Sequence, residues 1–517
     1  MTSGSLNKAV HVHTYVRPRY CRLLAVLIGI IVLVHFLFVP FSPSLADTPY
    51  LSKVDFGKSL RSRGVGAQVP LDGNGWKKIG DWCTEEEYLD GEWVKREEEV
   101  TMENIRRVFH YTDRGVLKCQ ARETGYGDDP KEDDPRMSER ILETAQFEYR
   151  PKSGCRRHAW NRWNFSKFCL RSRAGCSLVG DSLADQIYMT IQHSMISGFG
   201  PKGAPDSLFH LSATPESQYI IKVNKNHPDA PALALAAGVE MSRLDRPVFT
   251  FHREHHLVSR PELDKALGRS PGYVPFVGGP SFAEQRFVWD RSWWYEKWTN
   301  LLRHAVQFLP EKDGRKPVKE ENSVIALSMG PHWSPRELWP ENFKQKPDTY
   351  DFVVRGFQGA FDTILHNVTQ VAKTHKVTAW WRSNSPGHYE CWQYDKPEND
   401  RTDQLSTRDS SLQVHNWMHY PKMDKYVASH LGYKPSDSNH YLRPTSYAMR
   451  YLDFWTMSIK RPDAHLKPAI DCLHFCQPGV AHEWLRFWWH MILIQAENGD
   501  YDDEPVGDSW IAKGMPT

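Results

Sequence analysis

Two short stretches carry side chains that could do covalent chemistry together. One is Gly180-Asp181-Ser182, set in CSLVGDSLADQIYMTIQH at residues 176–193. The other is Asp471-x-x-His474, set in AIDCLHFCQPGVAHEW at residues 469–484. A hydroxyl is a weak nucleophile at neutral pH and needs an imidazole to take its proton. That imidazole needs a carboxylate to fix its tautomer and stabilise its charged form. Ser182, His474 and Asp471 are the right types for these three tasks. Each stretch also has a plainer reading. Asp and Ser favour turns and helix N-caps, and Cys472, His474 and Cys476 could be three members of a zinc cluster. His252 and His256, four apart in HREHH, could likewise face one metal ion. With no Cys-x-x-Cys pair in the chain, no metal is expected at either place.

The elements needed to position such residues are legible as patterns. Cys176 to Val179 is a short apolar run leading into a helix-like segment after Ser182. SVIALSM (323–329) is a second apolar stretch and VTAWW (377–381) a third. Residues 351–374 repeat apolar side chains at three- and four-residue steps, and GVAHEWLRFWWHMILIQ (479–495) reads as a largely buried helix. Strands alternating with helices predict an α/β fold built on a doubly wound parallel sheet. Ligands of such sheets sit at the carboxyl ends of strands, where Gly180-Asp181-Ser182 falls. Asp471 and His474 are expected on a tight loop before the last helix. Residues 393–411 and 425–442 read as irregular surface insertions, and the acidic GDDPKEDDP (127–135) as a solvated loop.

Composition narrows the class. The chain has 517 residues, 40% hydrophobic and 25% charged, with a net charge of +2. That describes a globular protein without the basic footprint of a nucleic-acid binder. Its 20 Trp could stack on sugar rings or fill core, and SWWYEKW (292–298) has the spacing of a half-buried helix. Residues 23–41, LLAVLIGIIVLVHFLFVPF, are long and apolar enough to span a bilayer. Lys8, Arg17, Arg19 and Arg22 precede the run, which places the N-terminus in the cytoplasm and the bulk on the far side. The competing reading is a signal peptide cleaved near Ser44-Leu45-Ala46. Either way the working part is expected in the secretory pathway, in the lumen of the Golgi or endoplasmic reticulum. Cys21 would lie at the cytoplasmic edge as a candidate for palmitoylation. The other eight cysteines would be luminal and could form up to four disulfides, with connectivity open. Asn164 and Asn367 head glycosylation sequons. The expected division is a tail (1–22), an anchor (23–41), a stem (42–75), a Cys-containing part (76–170), a catalytic domain (171–497) and a C-terminal tail (498–517).

Gly-Asp-Ser after a strand, with Asp-x-x-His before the last helix, is the layout of SGNH (GDSL-like) hydrolases. More narrowly, the chain resembles the PC-esterase group, whose plant members are trichome birefringence-like polysaccharide O-acetyltransferases. The resemblance runs through DWCTEEEYLDGEWV (81–94), the approach to Ser182 (147–186), LSMGPHW (327–333), WWRSNSPGHYE (380–390) and MSIKRPDAHL (457–466) with the Asp-x-x-His segment. It implies an SGNH-like fold with Ser182 as nucleophile, His474 as base and Asp471 as its orienting carboxylate. An acyl-enzyme needs an oxyanion hole, for which the backbone N–H groups of Ser182 and Gly330 are the candidates, with Asn384 a candidate replacement for the family's side-chain donor. Ser328 stands where the family often has Asn, and Ala184-Asp185-Gln186 departs from a basic residue common in the plant motif. Arg382 and His388 would either hold an acceptor or support the catalytic loop. The activity implied is transfer of an acetyl group, through an ester on Ser182, to a hydroxyl of a polysaccharide or glycan. The alternatives are an acetylesterase of the same fold and a catalytically dead glycan-binding protein. No glycine-rich phosphate cradle stands out, so no bound cofactor is expected. The donor would be acetyl-CoA or a multi-pass membrane partner that delivers acetyl groups.

Overall fold

The five residues Cys176–Gly180 are buried without exception, the pattern of a strand covered on both faces. The computed structural model describes residues 82–112, 117–120, 135–197, 207–214, 218–267, 293–311, 317–334, 338, 347–401, 417–433, 449–468 and 471–501. The expected tail, anchor and stem, and most of the acidic loop at 127–135, lie outside them. Among the described residues no helix is long and apolar enough to cross a membrane.

In chain order the strands are β1 (Gly91–Lys95), β2 (Phe147–Pro151), β3 (Cys176–Gly180), β4 (Phe209–Ala213), β5 (Gln218–Val223), β6 (Phe249–Arg253), β7 (Ser323–Leu327), β8 (Val377–Arg382), β9 (Met449–Leu452), β10 (His465–Lys467) and β11 (Asp471–Phe475). Seven of them form one sheet in the order β4-β5-β6-β3-β7-β8-β9. From β6 to β9 all neighbours run parallel. β5 is antiparallel to both β4 and β6. The sheet is therefore mixed, where an all-parallel one was expected. Only residues 214–217 separate β4 from β5, too few for the crossover that a parallel pair requires.

The helices used below are α1 (Pro135–Ala145), α2 (Arg162–Leu170), α3 (Ser182–Met195), α4 (Trp293–Leu302), α5 (Pro347–Ala372), α6 (Tyr420–His430) and α7 (Val480–Leu493). Successive side chains of a strand point to opposite faces, and β8 shows what covers each face. Trp381 meets Phe357 and Phe361 of α5 edge-on. The next residue, Arg382, lies beside Trp484 of α7. Helices thus cover both faces, as in a doubly wound fold. Trp294 and Trp298 of α4, with Trp380, Trp381, Trp484, Trp488 and Trp489, are all buried, so these tryptophans are core.

Several expectations change. Residues 420–430 form α6 instead of an irregular insertion, because Tyr420, Met423 and Val427 are buried on one helical stripe. The described residues belong to one compact unit. Trp93 of β1 donates its indole N–H to Met457 O at 2.8 Å and its backbone N–H to Asn399 Oδ1 at 2.7 Å. The chain also stays docked past 497: Tyr501 is buried and donates its hydroxyl to Glu321 Oε1 at 2.8 Å. Asn164 is buried in α2 and donates its amide to Tyr501 O at 2.5 Å. A glycan cannot sit on that nitrogen without undoing the contact, whereas Asn367 lies half-buried on α5.

Eight cysteines form four disulfides: Cys83–Cys155, Cys119–Cys476, Cys169–Cys176 and Cys391–Cys472. Cys472 and Cys476 are thereby committed, which overturns the zinc reading. His252 faces Gln218 at 2.8 Å and His256 faces the His332 carbonyl at 3.1 Å. No group of three metal-ligating side chains occurs among the described residues. Cys119–Cys476 closes a separation of 357 residues. Replacing both by Ser is expected to lower the free energy of unfolding by roughly 2–4 kcal/mol, read from urea denaturation; an unchanged midpoint would contradict this.

Candidate active site

Ser182 is the first residue of α3, directly after the carboxyl end of β3. Asp181 caps the helix: its backbone is extended and its Oδ1 accepts the Leu183 N–H at 3.0 Å. Gly180 has to be small because a Cβ there would lie 2.5 Å from Ser328 Oγ and 2.8 Å from Ser328 O. The tight passage between β3 and the loop after β7 thus brings Ser182 to the surface of the sheet's carboxyl edge.

His474 and Asp471 arrive from the other end of the chain, on β11. This is a strand paired antiparallel with β10, where a loop was expected. Asp471 bends it locally: its Oδ1 accepts the N–H groups of both Leu473 and His474 at 3.1 Å. That bend lets residues three apart present their side chains together. His474 Nδ1 donates to Asp471 Oδ2 at 2.7 Å, and its Nε2 lies 2.7 Å from Ser182 Oγ. With Nδ1 carrying the hydrogen, Nε2 is free to accept the proton of Ser182. Burial alone would push the Asp471 carboxyl up. The His474 imidazole and the two backbone N–H groups outweigh it and hold the acid well below its ordinary range. Burial likewise opposes charge on His474, but the hydrogen bond and charge of Asp471, with Asp181 and Asp185 behind it, raise its pKa above the ordinary 6.5.

Gly330 and Asn384 also meet. A Cβ on Gly330 would overlap Asn384 Oδ1, at 1.7 Å, so no other residue fits. Asp424 of α6 holds Asn384 by its backbone N–H at 3.0 and 3.2 Å and by Nδ2 at 2.9 Å. Asn384 Oδ1 therefore faces Gly330 with no hydrogen bond of its own. Ser328, where the family often has Asn, is buried against Gly180, and its hydroxyl makes no hydrogen bond among the described residues.

Arg382 and His388 are both buried, and their contacts are those of supports. Arg382 lies 3.8 Å from Asp181 Oδ1, beneath the helix cap. His388 binds backbone and another histidine. Asp185 pairs with Arg253 at the end of β6, so acidic and basic partners share the position where the family's basic residue was expected.

Gln186 was missed in the sequence. From the second turn of α3 its Nε2 donates to Phe475 O at 2.7 Å and its Oε1 accepts Phe475 N–H at 3.2 Å. Gln477 returns a bond to Gln186 O at 2.9 Å. The residue after His474 is thereby clamped to the helix that starts with Ser182. Four residues after Ser182, Gln186 is one helical turn below it, a spacing that could have raised it as a candidate. Gln186→Leu strands two buried backbone groups and is expected to cost about 1–3 kcal/mol of stability. The fall in kcat should exceed the fall in substrate binding, and steady-state kinetics with a small acyl ester would check this.

Residues 320–491 match the model of the PC-Esterase family, described as a GDSL/SGNH-like acyl-esterase family found in Pmr5 and Cas1p. No curated protein matches the chain. The matched span holds Gly330, Arg382, Asn384, Asp471 and His474, while Ser182 lies upstream of it and reaches His474 through the fold. That match, with a mostly parallel sheet consistent with an SGNH-like fold, supports the PC-esterase group of the SGNH-like superfamily and, with it, an acyl-esterase or acyltransferase of SGNH type.

Proposed function

We propose that this protein is an O-acetyltransferase that carries an acetyl group on Ser182 and passes it to a hydroxyl of a polysaccharide or glycan. The observation that supports it is the hydrogen-bonded series Ser182–His474–Asp471, with both links at 2.7 Å. In the first half-reaction His474 Nε2 takes the Ser182 proton as Oγ attacks the acetyl carbonyl of the donor. The tetrahedral intermediate then expels the donor's leaving group, which receives that proton from His474. In the second half the acceptor hydroxyl gives its proton to His474 and attacks the acetyl ester, and His474 returns that proton to Ser182 Oγ as the C–O bond to it breaks.

Each intermediate places a negative oxygen near the start of α3. The first N–H groups of a helix have no intrahelical partners, and the helix dipole favours an anion there. The Ser182 N–H is one proposed donor and the Gly330 N–H the other. We assign Asn384 the task of shaping that hole against Gly330, with Asp424 holding it in place. Arg382 and His388 support the loop in this reading, and the acceptor meets other groups on the rim. The donor is acetyl-CoA or an acetyl-delivering membrane partner, and the chain acts from a Golgi or endoplasmic reticulum membrane with its catalytic domain luminal. The second reading is an acetylesterase, favoured by the acyl-esterase description of the matched family. It uses the same ester on Ser182 and lets water take the acceptor's place.

Incubating the full chain and its Ser182→Ala variant with an acetyl donor and bare or acetylated oligosaccharides, followed by mass spectrometry, separates these readings. Ser182-dependent gain of acetyl on a bare glycan is expected. Ser182-dependent loss without gain makes the protein an esterase, and activity that survives Ser182→Ala removes the serine from the chemistry. Because the base must be neutral to act, kcat/KM should rise with pH through a value above 6.5, the ordinary histidine pKa that His474 exceeds here. Asp471→Asn removes the charge that raises it, so that limb should move to lower pH. The same variant should lose about four orders of magnitude in kcat through loss of the correct tautomer. A pH profile of the two proteins tests both statements.

A further inference from the structure

Behind β11, on the side away from Ser182, lie two fully buried histidines, His388 and His465. His388 Nδ1 lies 2.6 Å from His465 Nε2. At the outer ends of the pair, His388 Nε2 faces the Ile459 carbonyl at 2.9 Å and His465 Nδ1 faces the His474 carbonyl at 3.1 Å. Counting hydrogens is instructive. A carbonyl only accepts, so both outer nitrogens must carry a hydrogen, and the contact between the rings needs one more. Two neutral imidazoles bring two hydrogens, and three contacts require three. The contact between the rings is also shorter than the usual 2.9–3.0 Å or so of a neutral N–H bond, as charge-assisted bonds are.

We propose that His388 and His465 are a positioning unit for His474: two rings that share three hydrogens, and so one positive charge, and hold the backbone of the catalytic strand. The role in catalysis rests on the reading of His474 as the base. The unit grips β11 at two carbonyls, since the His388 backbone N–H donates to Cys472 O at 2.9 Å while the His465 ring binds His474 O. The Cys391–Cys472 disulfide and the stacking of His465 on Phe475, with centroids 4.5 Å apart, complete the attachment. The charged groups around the pair come from three elements: Asp471 and His474 on β11, Arg140 on α1, and Arg401 in the segment after β8. Burial, the repulsion between the two rings and the two arginines push both pKa values below the ordinary 6.5, His465 to about 3, against the bonds to the Ile459 and His474 carbonyls and the Asp471 carboxylate. The outer contacts argue against that direction, because a neutral pair would turn a nitrogen lone pair onto a buried carbonyl oxygen.

Neutron diffraction from crystals of the full chain at neutral pH would count the hydrogens directly. Three on the four ring nitrogens is expected, and two overturns the proposal whatever the activity. His465→Gln and His388→Gln remove the charge while keeping a polar side chain. In each, kcat on a small acyl ester should fall tenfold to about a hundredfold with KM unchanged. The acid limb of kcat/KM should move to higher pH, since a positive charge beside His474 has been removed. A limb that stays in place in both folded variants also overturns the proposal. Undiminished turnover in Ser182→Ala would instead sink the catalytic reading and leave the hydrogen count standing.

Discussion

The geometry of the candidate site depends on the joint between the first turns of α3 and the strand β11. Ser182 and His474 are 292 residues apart in sequence and 2.7 Å apart in space. A half-exposed hydroxyl–imidazole contact is too weak to hold two elements in register, because water competes for both groups. The work is done one turn lower, where Gln186 exchanges two bonds with Phe475 and accepts one from Gln477. Those groups are buried, so breaking any of them leaves a polar atom without water, at about 1–3 kcal/mol each. The register of the site is thus set by bonds that touch no reacting atom. Disulfides at Cys472 and Cys476 pin the same strand to two distant parts of the chain.

A second constraint is the depth of burial beneath the site. Arg382 is enclosed by aromatic rings and carboxylates, at 5.8 Å from the Trp484 ring centre and 3.8 Å from Asp181. Burial lowers the Arg382 pKa, although Asp181 and Asp424 pull it back. Burial pushes the Asp424 acid up to about 7, against the Asn384 bonds that favour its charged form. Both groups move toward neutrality, as desolvation requires of a cation and an anion alike. Their mutual attraction is strong because so little solvent screens it. The result is a stiff floor: Asp181 is held as the cap of α3 and Asn384 is pressed against Gly330.

Much of this was legible in the residues, and the failures have physical reasons. β3, β7 and β8 announced themselves as short, mostly apolar runs because both their faces are covered, and α5 and α7 announced themselves by apolar residues recurring at helical spacing. Ser182, Asp471 and His474 came from motif chemistry, and the structure brings them together. The antiparallel edge was not legible, since β4 and β5 alternate weakly and strand direction is decided by connection length. α6 was hidden because its apolar stripe is set among Lys, His and Ser that face outward. Gln186, Asp424 and His465 could not be recognised as supports: each acts through a long-range contact that no local spacing encodes. Asn164 misled in the opposite direction, because a three-residue sequon carries no information about burial.

The attachment of β11 also fixes when the protein can become active. The strand ends 18 residues before the end of α7, and Cys119, the disulfide partner of Cys476 just after the strand, lies 357 residues before it. On a ribosome, a chain that has exposed Ser182, the sheet and α5 still lacks its base, its carboxylate and the clamp on Gln186. Ser182 is made early and its hydrogen-bonding partners late. A copy truncated before β11 therefore lacks the imidazole and the carboxylate that complete the Ser182–His474–Asp471 series.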